Sequence, residues 1–407
     1  MDTAAGPEDA SSGPLTGIRV IEVGQLIAGP FVGQLLGDFG AEVIKVELPG
    51  QGDPMRQWGR IPGSGDSLWW SVIARNKKSI TLDIRTDAGR DVLLRLVAQA
   101  DVLVENFRPG TMEAWGLSYD VLKDVNPGLV MARVSGFGQT GPYADRAGFG
   151  AIGEAMGGLR AVVGNPDRPP VRTGIAVGDA MSGALGAFSV LAALRERDSS
   201  GQGQVLDIAL YESVLTFMES LIIDYQVDGF VRERTGATLP GVAPSNVYPT
   251  LEGREILIAG NQDNVFRRLA MAMGRPDLAD DERFSSHIAR GQHQAELDAM
   301  VSDWTSTLSA EPLLAILADA GVPAGQIYRA PEMLEDPHFA ARKAIIDVPH
   351  PTLGSVKMQN VSPRASRTPG SVRWVGPELG AHNDEILRTY LGLSDLAIAQ
   401  AQGCGPA

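Results

Sequence analysis

The sequence predicts an α/β fold: a doubly wound, Rossmann-like parallel sheet in a large domain, with a smaller α+β domain beside it. Two buried strand patterns, Ile18–Val23 and Glu42–Leu48, flank a helical pattern over Phe31–Phe39, which is the order of a βαβ unit with a right-handed crossover. Four further strand patterns follow at Ser79–Ile84, Asp101–Glu105, Leu129–Val134 and Val205–Leu210. The 407 residues exceed the length at which one hydrophobic core stops growing, so we expect two domains.

Helical patterns separate these strands. Asp87–Ala100 has helical period, and Ala187–Arg197 and Tyr211–Gln226 lie on either side of the sixth strand. The composition changes near residue 229, where one strand pattern, Glu255–Ala259, stands among helices and loops, and a last helix is expected over Asn383–Leu391. We therefore divide the chain into a flexible tail (1–14), the first part of the large domain (15–228), a small domain (229–335), and a linker with a C-terminal part that returns to the large domain (336–407).

Composition and charge argue against several functions. The formal net charge of −14 disfavours binding to nucleic acid or to an anionic membrane surface. Cys404 is the only cysteine, so we expect no disulfide, no thiolate metal site and a reducing, cytoplasmic location. Residues 1–14 lack the basic start and apolar core of a signal peptide, and the longest uncharged apolar run, 180–194, is too short to cross a bilayer.

Common catalytic and phosphate-binding motifs are missing from the sequence. All five histidines lie in its second half, and none pairs at helical spacing with another histidine or a suitable acid, so no metal site is expected. There is no G-x-S-x-G elbow and no P-loop. The first βα loop reads GQLIAGPFVG instead of G-x-G-x-x-G, which argues against a dinucleotide cofactor and makes Glu47, at the end of the second strand, a structural residue.

Two cation-bearing segments adjoin neighbouring strands. Arg75-Asn76-Lys77-Lys78 precedes the third strand, and the sequence ENFRPG, residues 105–110, ends the fourth. Doubly wound sheets bind ligands at the carboxyl ends of their strands, and together the segments offer cations, amides and an aromatic ring. The residues leave two interpretations open: solvated surface charge, or a site for an anionic, nucleotide-like ligand in an otherwise acidic protein.

One acidic side chain stands out in a stretch of small and apolar residues, Val171–Val190. Asp179 precedes several small residues, including Gly183 and Gly186, which let other backbone or a ligand come close. A buried carboxylate costs several kcal/mol unless its charge is favoured. Asp179 is then either a helix cap, which the stretch alone favours, or a catalytic carboxylate.

These segments belong to an ordered set of motifs. The motifs are VIEVGQLIAGPFVGQLLGDFGAEVIKVE, GDPMRQW, RNKKSITLD, DVLVENFRPG, SGFGQTGP, TGIAVGD and GAHNDEIL, in this order between residues 20 and 387. From about Leu15 to its end, the chain resembles the class III coenzyme A transferases, the family of formyl-CoA transferase and the carnitine CoA-transferase. The order of the motifs carries the resemblance.

The resemblance implies a fold, substrates and an assembly. It implies a large α/β domain built from both ends of the chain, a smaller domain between them, and an interlocked homodimer. A coenzyme A thioester and a small carboxylic acid are the implied substrates, with no tightly bound cofactor and no metal. Succinyl-CoA is a candidate donor, because members that use it are similar overall and because Arg146 and Arg172 are available to bind a dicarboxylate.

The resemblance also implies site residues. Asp179 is the implied nucleophile, which attacks the acyl-CoA thioester and forms first a mixed anhydride and then an aspartyl-CoA thioester. The implied CoA contacts are Ile27, Ala28, Ala74, Arg75, Asn76, Lys77, Asn106, Phe107, Arg108 and Arg146. The residues implied to line the active site are Gln25, Trp58, Phe149 and Gly260. Two positions depart from the family pattern: Ala114 replaces a frequent arginine, and Gly150 a frequent acid.

Two other functions are compatible with the same fold. The α-methylacyl-CoA racemases share it and use a histidine base within the run at 148–150, where this chain has Phe149. Proton abstraction needs a base within reach, so this position favours a transferase. A non-catalytic CoA-binding protein would need no nucleophile, and replacement of Asp179 would leave its properties unchanged.

Overall fold

A computed structural model describes residues 13–63 and 65–403. Residues 1–12 of the expected tail and Cys404 lie outside the described residues. Two compact units are present. Of the described residues, the large unit contains 13–63, 65–159, Thr173–Ser220 and 340–403. The small unit contains Arg160–Arg172 and Leu221–Phe339, so it includes a segment that the sequence division assigned to the large domain.

A six-stranded parallel sheet is the centre of the large unit. Its strands are β1 (Arg19–Glu22), β2 (Glu42–Glu47), β3 (Lys77–Thr81), β4 (Val102–Glu105), β5 (Val130–Ser135) and β6 (Val205–Ala209). The strand order is β3-β2-β1-β4-β5-β6, and every neighbouring pair is parallel. This is a doubly wound order that reverses between β1 and β4, which confirms the predicted α/β class. Such sheets bind ligands at the carboxyl ends of the two strands at the reversal.

Helices and short helical turns connect the strands. In chain order, the helices of the described residues are α1 (Ala28–Asp38), α2 (Leu68–Ile73), α3 (Asp87–Val97), α4 (Thr111–Ala114), α5 (Tyr119–Val125), α6 (Gly150–Met156), α7 (Leu159–Val162), α8 (Val177–Ser200), α9 (Leu210–Leu215), α10 (Leu221–Asp228), α11 (Asp263–Ala272), α12 (His287–Gln292), α13 (Gln294–Thr305), α14 (Ala310–Asp319), α15 (Ala330–Glu335), α16 (Pro337–Ala341) and α17 (Asp395–Ala401). A π-helical segment covers Asp384–Tyr390.

The sheet is largely buried on both faces from β1 to β5, whereas the edge strand β6 is partly exposed at its start; β4 and β5 therefore appear in the sequence as nearly continuous apolar runs. Successive residues of a strand point to opposite faces, so Val20 and Ile21 enter different cores. Helices α3 and α17 cover one face, and α1 and α8 cover the other. Because α17 packs against α3, the C-terminal segment forms part of the large unit.

Several helices differ from the sequence expectation. α1 starts at Ala28, ahead of Pro30, because first-turn N–H groups need no intrahelical partner and proline is tolerated there. The single helix expected over 211–226 is two helices, α9 and α10, separated by a bend in which Glu219 has a φ of 50°. The sequence does not predict α17, because seven residues are too few for a clear helical period.

Helix α8 is 24 residues long and ends at Gly201, whose φ of 72° forms a left-handed C-cap. By length and composition alone, the helix could cross a membrane. A helix packed inside a protein core meets the same criteria. α8 packs its glycines Gly183 and Gly186 against α1 within the large unit.

The small unit has its own sheet and core. Strands β7 (Ser245–Pro249), β8 (Glu255–Ala259) and β9 (Ala324–Gln326) form an antiparallel sheet, on which α11, α13 and α14 pack. The sequence predicts only β8, because β7 contains polar residues and a proline, and the AGQ of β9 contains no strong strand former. An antiparallel pair, β10 (Ile345–His350) and β11 (Gly354–Gln359), belongs to the large unit.

Candidate active site

The loops that follow β1 and β4 meet where the strand order reverses. They lie on the side of the sheet formed by the carboxyl ends of its strands, which we call the carboxyl edge; the opposite side is the amino edge. Asn106 joins them: its Oδ1 accepts a hydrogen bond from the N–H of Gln25 at 2.7 Å, and its Nδ2 donates to the C=O of Gln25 at 2.7 Å. A carboxamide can pair with both backbone groups of one residue in this way. Asn106 therefore supports the first loop, while its predicted contact with CoA stays a prediction.

The cationic segment before β3 lies at the opposite edge of the sheet. Residues that precede a parallel strand lie at its amino end, and the register pairs Lys77 with Val43 near the start of β2. Arg75 donates to the two oxygens of Asp38 at 3.0 and 2.5 Å, and Asn76 Nδ2 donates to Asp38 Oδ1 at 2.8 Å. The inference that joined this segment and ENFRPG into one anion site is therefore wrong: strand direction separates them.

Lys77 is also committed to internal contacts. Its Nζ donates to Glu22 Oε1 at 2.9 Å and to the C=O of Pro30 at 2.6 Å. Burial lowers the pKa of Lys77, and the neighbouring Glu22 carboxylate only partly opposes this effect. Arg75, Asn76 and Lys77 are 3, 1 and 1% exposed, so their side chains stabilise the fold at positions where the family resemblance implies contacts with CoA; Ala74 is buried beside them.

The predicted contacts after β4 differ from one another in exposure. Phe107 packs on the core, with its ring centroid 5.0 Å from that of Trp115 in an edge-on arrangement. Arg108 is exposed. Arg146, in the loop after β5, is also exposed, and its guanidinium carbon lies 3.7 Å from the centroid of the Tyr143 ring. Both guanidinium groups are accessible to an anionic ligand, and so is the neighbourhood of Ala114, which is exposed as well.

Asp179 lies in the first turn of α8, as its third residue. The capping residue is Ala176, which makes no side-chain capping bond, so the interpretation of Asp179 as the N-cap is wrong. A carboxylate in the first turn still faces the positive end of the helix dipole, which favours its charged form. The side chain is partly exposed, so a substrate can reach it from solvent.

Gly150, the first residue of α6, faces this carboxylate. A Cβ atom built on Gly150 would lie 2.1 Å from Asp179 Oδ2 and 2.6 Å from Asp179 Cγ. No side chain fits there without displacing the carboxylate. Phe149, which precedes Gly150, is 63% exposed beside the same carboxylate.

A second acid, Glu154, lies one helical turn after Gly150 and is completely buried. Its Oε1 accepts a hydrogen bond from the N–H of Gly178, the residue before Asp179, at 3.3 Å. Glu154 therefore supports the start of α8. Glu154 is not among the residues predicted from the sequence; its signal there is a single acid among the small residues of GAIGEAMGG, the same kind of signal as that of Asp179.

The small residues after Asp179 have a packing role. A Cβ atom on Gly183 would lie 2.8 Å from Phe31 Cβ and 3.0 Å from the carbonyl oxygen of Ala28, so the glycine admits the start of α1. The small residues are expected to let backbone or a ligand come close, and in the structure the segment that comes close to Gly183 is the neighbouring helix α1. Ile27 and Ala28, the predicted pantetheine contacts, are buried at the start of α1, and this packing brings Asp179 to the same edge of the sheet.

The remaining predicted residues are spread over both units. Gln25 is partly exposed and Trp58 is 42% exposed, both in the large unit. Gly260 is buried after β8 in the small unit, where a Cβ would lie 3.0 Å from Leu269 Cδ2. A cavity of about 620 Å³ at the amino edge of the large unit includes Asn76 but neither Asp179 nor the first loop. Within residues 13–63 and 65–403, no three His, Cys, Asp or Glu side chains are arranged to hold a metal ion.

The fold and these residues define an α/β protein with a ligand crevice at the reversal of its strand order and an accessible carboxylate at that edge. The family model of CoA-transferase family III matches residues 15–383, and the chain belongs to this family. It is an enzyme that transfers CoA between carboxylic acids, with CoA thioesters as substrates. The recognition of the family from the ordered motifs is confirmed.

Individual relatives agree with this assignment. The chain is 59% identical to succinyl-CoA–D-citramalate CoA-transferase of Chloroflexus aurantiacus, over 96% of this chain and 97% of that protein. It is 42% identical to the beta subunit of succinyl-CoA–L-malate CoA-transferase of the same organism, over 94% and 95%. It is 30% identical to the human succinyl-CoA:glutarate CoA-transferase, over 96% and 89%. The crystal structure of a CAIB/BAIF family protein from Brucella suis superposes with a TM-score of 0.82 at 36% identity, over 93% of this chain and 100% of that one.

Proposed function

We propose that this CoA-transferase moves CoA from succinyl-CoA to a hydroxylated dicarboxylic acid of the citramalate type, with Asp179 as the covalent nucleophile. Three relatives that span nearly the whole chain all carry succinyl-CoA in their names, and the one at 59% identity is named for D-citramalate. The acceptors in the three names are all dicarboxylic acids, which supports an acceptor of that class.

The observation that carries the mechanism is the arrangement of Asp179 and Gly150. The carboxylate is partly exposed, lies in the first turn of α8, and packs directly against Gly150, where a Cβ would lie 2.1 Å from Oδ2 and 2.9 Å from Oδ1. A nucleophilic carboxylate must be ionised, accessible and held in one place. The helix dipole favours the ionised form, and Glu154 supports the adjoining backbone.

The proposed reaction has four steps that balance without a redox partner. An oxygen of Asp179 attacks the thioester carbonyl of succinyl-CoA, which gives a mixed anhydride and the CoA thiolate. The thiolate attacks the aspartyl carbonyl, which gives an aspartyl-CoA thioester and releases succinate. The acceptor carboxylate attacks this thioester, which forms a second anhydride and releases the CoA thiolate. The thiolate then attacks the acceptor carbonyl, which gives the new CoA ester and regenerates the Asp179 carboxylate.

Residues around Asp179 are proposed to bind the two parts of the substrate. Ile27 and Ala28 contact the pantetheine arm, because the first loop and the start of α1 lie at the same edge as Asp179. Arg108 is accessible for the charged end of CoA, and Gln25, Trp58 and Phe149 are accessible enough to line the acyl site. Phe149 has no group that accepts a proton, which disfavours racemisation at this site.

We also propose the interlocked homodimer that the family resemblance implies. Exposed apolar side chains are numerous on helices of both units: α8 exposes Phe188 (68%) and Leu191 (43%), and α10 exposes Ile222 (60%) and Ile223 (61%). Large exposed apolar surfaces indicate protein contacts. Light scattering on the purified protein is expected to give twice the 43.1 kDa of one chain. When two differently tagged homodimers are mixed, they should not exchange subunits unless the protein unfolds. Rapid formation of mixed dimers under native conditions would contradict interlocking.

Two measurements test the proposed reaction. Enzyme is mixed with succinyl-CoA and hydroxylamine and digested, and a hydroxamate is expected on the peptide that contains Asp179; a modified enzyme without label on that peptide would refute this nucleophile. Separately, succinyl-CoA is offered with D-citramalate, L-malate or glutarate, and product esters are read by mass. D-citramalate is expected to give the highest kcat/KM. Comparable rates with all three acids would contradict the acceptor assignment without affecting the mechanism.

A further inference from the structure

We propose that a buried network of four charges, Glu22, Lys45, Asp53 and Lys77, is a positioning device that sets the conformation of the first loop and thereby the affinity for CoA. We refer to these four residues as the loop clamp. The inference goes beyond the reaction proposed above and rests on it in one respect, the contact of Ile27 and Ala28 with CoA.

The loop clamp is a continuous chain of ion pairs beneath the loop. Lys45 Nζ lies 2.7 Å from Asp53 Oδ2 and 3.3 Å from Glu22 Oε1. Lys77 Nζ lies 2.9 and 2.8 Å from the two oxygens of Glu22. All four side chains are at most 2% exposed. Gly33 leaves room for the network, because a Cβ there would lie 1.9 Å from Glu22 Oε2.

Three members of the loop clamp also contact the backbone of the loop and the start of α1. Asp53 accepts from the N–H of Leu26 at 3.0 Å. Lys45 donates to the C=O of Gly24, and Lys77 donates to the C=O of Pro30 at 2.6 Å. The network is therefore bonded to the segment on both sides of Ile27 and Ala28.

The segment includes a backbone conformation that needs such support. Leu26 has a φ of 64°, in the left-handed region that bulky residues avoid. A residue held there is strained and persists only where its surroundings determine it. The N–H of Leu26 donates the hydrogen bond that Asp53 accepts, so the strained residue is bonded directly to the charged network.

The charges inside the loop clamp are balanced, with two carboxylates and two ammonium groups. Burial would raise the pKa of Asp53, but Lys45 and the N–H groups of Met55 and Leu26 outweigh it and hold the pKa below its ordinary value. Buried ion pairs are often no more stabilising than apolar residues of the same size. The presence of these buried ion pairs beneath one loop is explained if they determine the conformation of that loop.

The loop in turn reaches the crevice. Gln25 lies between the two residues that the loop clamp holds, Gly24 and Leu26, and its backbone pairs with Asn106 after β4. A change in the conformation of Leu26 would move Gln25 and Ile27 together. The loop clamp therefore acts on CoA through the loop, and its members are positioning residues.

The test compares CoA affinity, measured by calorimetry, with stability, measured by thermal unfolding. Asp53→Asn removes the charge that faces Lys45 and weakens the acceptor of the Leu26 N–H. We expect the Kd for CoA and the KM for succinyl-CoA to rise about tenfold, with kcat changed less than about threefold. Asp101→Asn is the matched control: Asp101 also accepts a backbone N–H (Arg19, 2.7 Å) and pairs with an arginine (Arg197, 2.9 Å), but at the amino edge. Its Kd should not change.

Rescue by glycine is the decisive comparison. Glycine adopts a positive φ without strain, so Leu26→Gly in the Asp53→Asn background should recover at least about threefold of the lost affinity. A merely structural role of Asp53 predicts lower stability and no rescue, and that outcome would overturn the proposal. So would an unchanged Kd in folded Asp53→Asn.

A second variant covers the case in which Asp53→Asn does not fold. Lys45→Met combined with Asp53→Leu replaces the ion pair with apolar side chains, an exchange that buried pairs often tolerate. This double variant loses the contacts to Gly24 and Leu26, so its Kd for CoA should also rise about tenfold. An unchanged Kd would refute the loop clamp. Calorimetry with CoA needs neither succinate nor citramalate, so a wrong assignment of the acids would leave this test intact.

Discussion

The charged residues predicted as ligand contacts differ in exposure between the two edges of the six-stranded sheet. At the amino edge, Arg75 and Asn76 are buried against Asp38 and hold α1 to the start of β3. At the carboxyl edge, Asp179 is partly exposed and Arg108 is exposed. A cluster of charges in the sequence is therefore not by itself a ligand site, because the direction of the strand decides whether the cluster faces the crevice.

Replacement of Asp179 is expected to have the largest effect. Asp179→Asn keeps the size of the side chain and removes its nucleophilic charge, so kcat should fall by about 10³ or more while CoA binding persists. Steady-state rates and calorimetry measure the two effects. A variant that keeps a tenth of the activity would show that the carboxylate at this edge is not the nucleophile.

Crowding of the carboxylate should rank second. In Gly150→Ala the new Cβ would lie 2.1 Å from Asp179 Oδ2, so the carboxylate must move, and a displacement near 1 Å can cost about 10² in rate. Gly325→Ala is the control, because a Cβ there meets nothing within 4 Å. Equal kcat values for the two variants would contradict the role given to Gly150.

A pair of arginine substitutions compares the edges directly. Arg75→Met leaves the Asp38 carboxylate buried without its cation, which should cost about 3 kcal/mol of unfolding free energy and leave the Kd for CoA nearly unchanged. Arg108→Met should leave stability within about 0.5 kcal/mol of the parent. Its Kd should rise about tenfold, with a weaker dependence on salt. Denaturant titration measures the stability and calorimetry the Kd. A raised Kd in Arg75→Met with an unchanged Kd in Arg108→Met would make the amino edge the CoA site.

A pH effect at the amino edge should be the smallest. Burial lowers the pKa of His382, and its Nδ1 accepts a hydrogen bond from the N–H of Ser79 at 3.1 Å, which requires an unprotonated nitrogen. A lowered folded-state pKa gives stability that is complete above the unfolded value of about 6.5 and is lost as the pH falls through the folded value. In thermal unfolding between pH 7 and 5, His382→Asn should reduce the loss of stability that the parent shows as the pH falls. Parallel curves for variant and parent would contradict the assignment.

Much of the fold could be predicted from the sequence because the evidence for it is local. The six strands and the first crossover produce recognisable patterns of the right length, and the parallel sheet follows from their order. The break between α9 and α10 and the strand β9 could not be predicted in the same way, because neither the bend at Glu219 nor three residues without strand propensity leave a periodic signal.

The candidate site was less accessible to sequence reasoning. Asp179 could be identified as an isolated acid among small residues, and the motif order gave it a role. Long-range contacts determine the rest. In the sequence, Lys77 and Asn106 resemble ligand-binding residues. In the structure, Lys77 is bonded to Pro30 and to Glu22, which lies 55 positions away, and Asn106 is bonded to Gln25, which lies 81 positions away. Glu154 gave only a weak signal, because its meaning depends on how α6 packs against α8.

An oxygen-isotope experiment tests the central claim, that Asp179 is acylated in turn by donor and acceptor. In the last proposed step the acceptor carboxyl carbon leaves with CoA, and the oxygen that bridged the anhydride stays on the enzyme. After a single turnover with succinyl-CoA and an acceptor whose carboxylates carry ¹⁸O, mass spectrometry of the peptide containing Asp179 should find one ¹⁸O atom. Turnover that leaves this peptide unlabelled, or places the label on another carboxylate, would contradict the account.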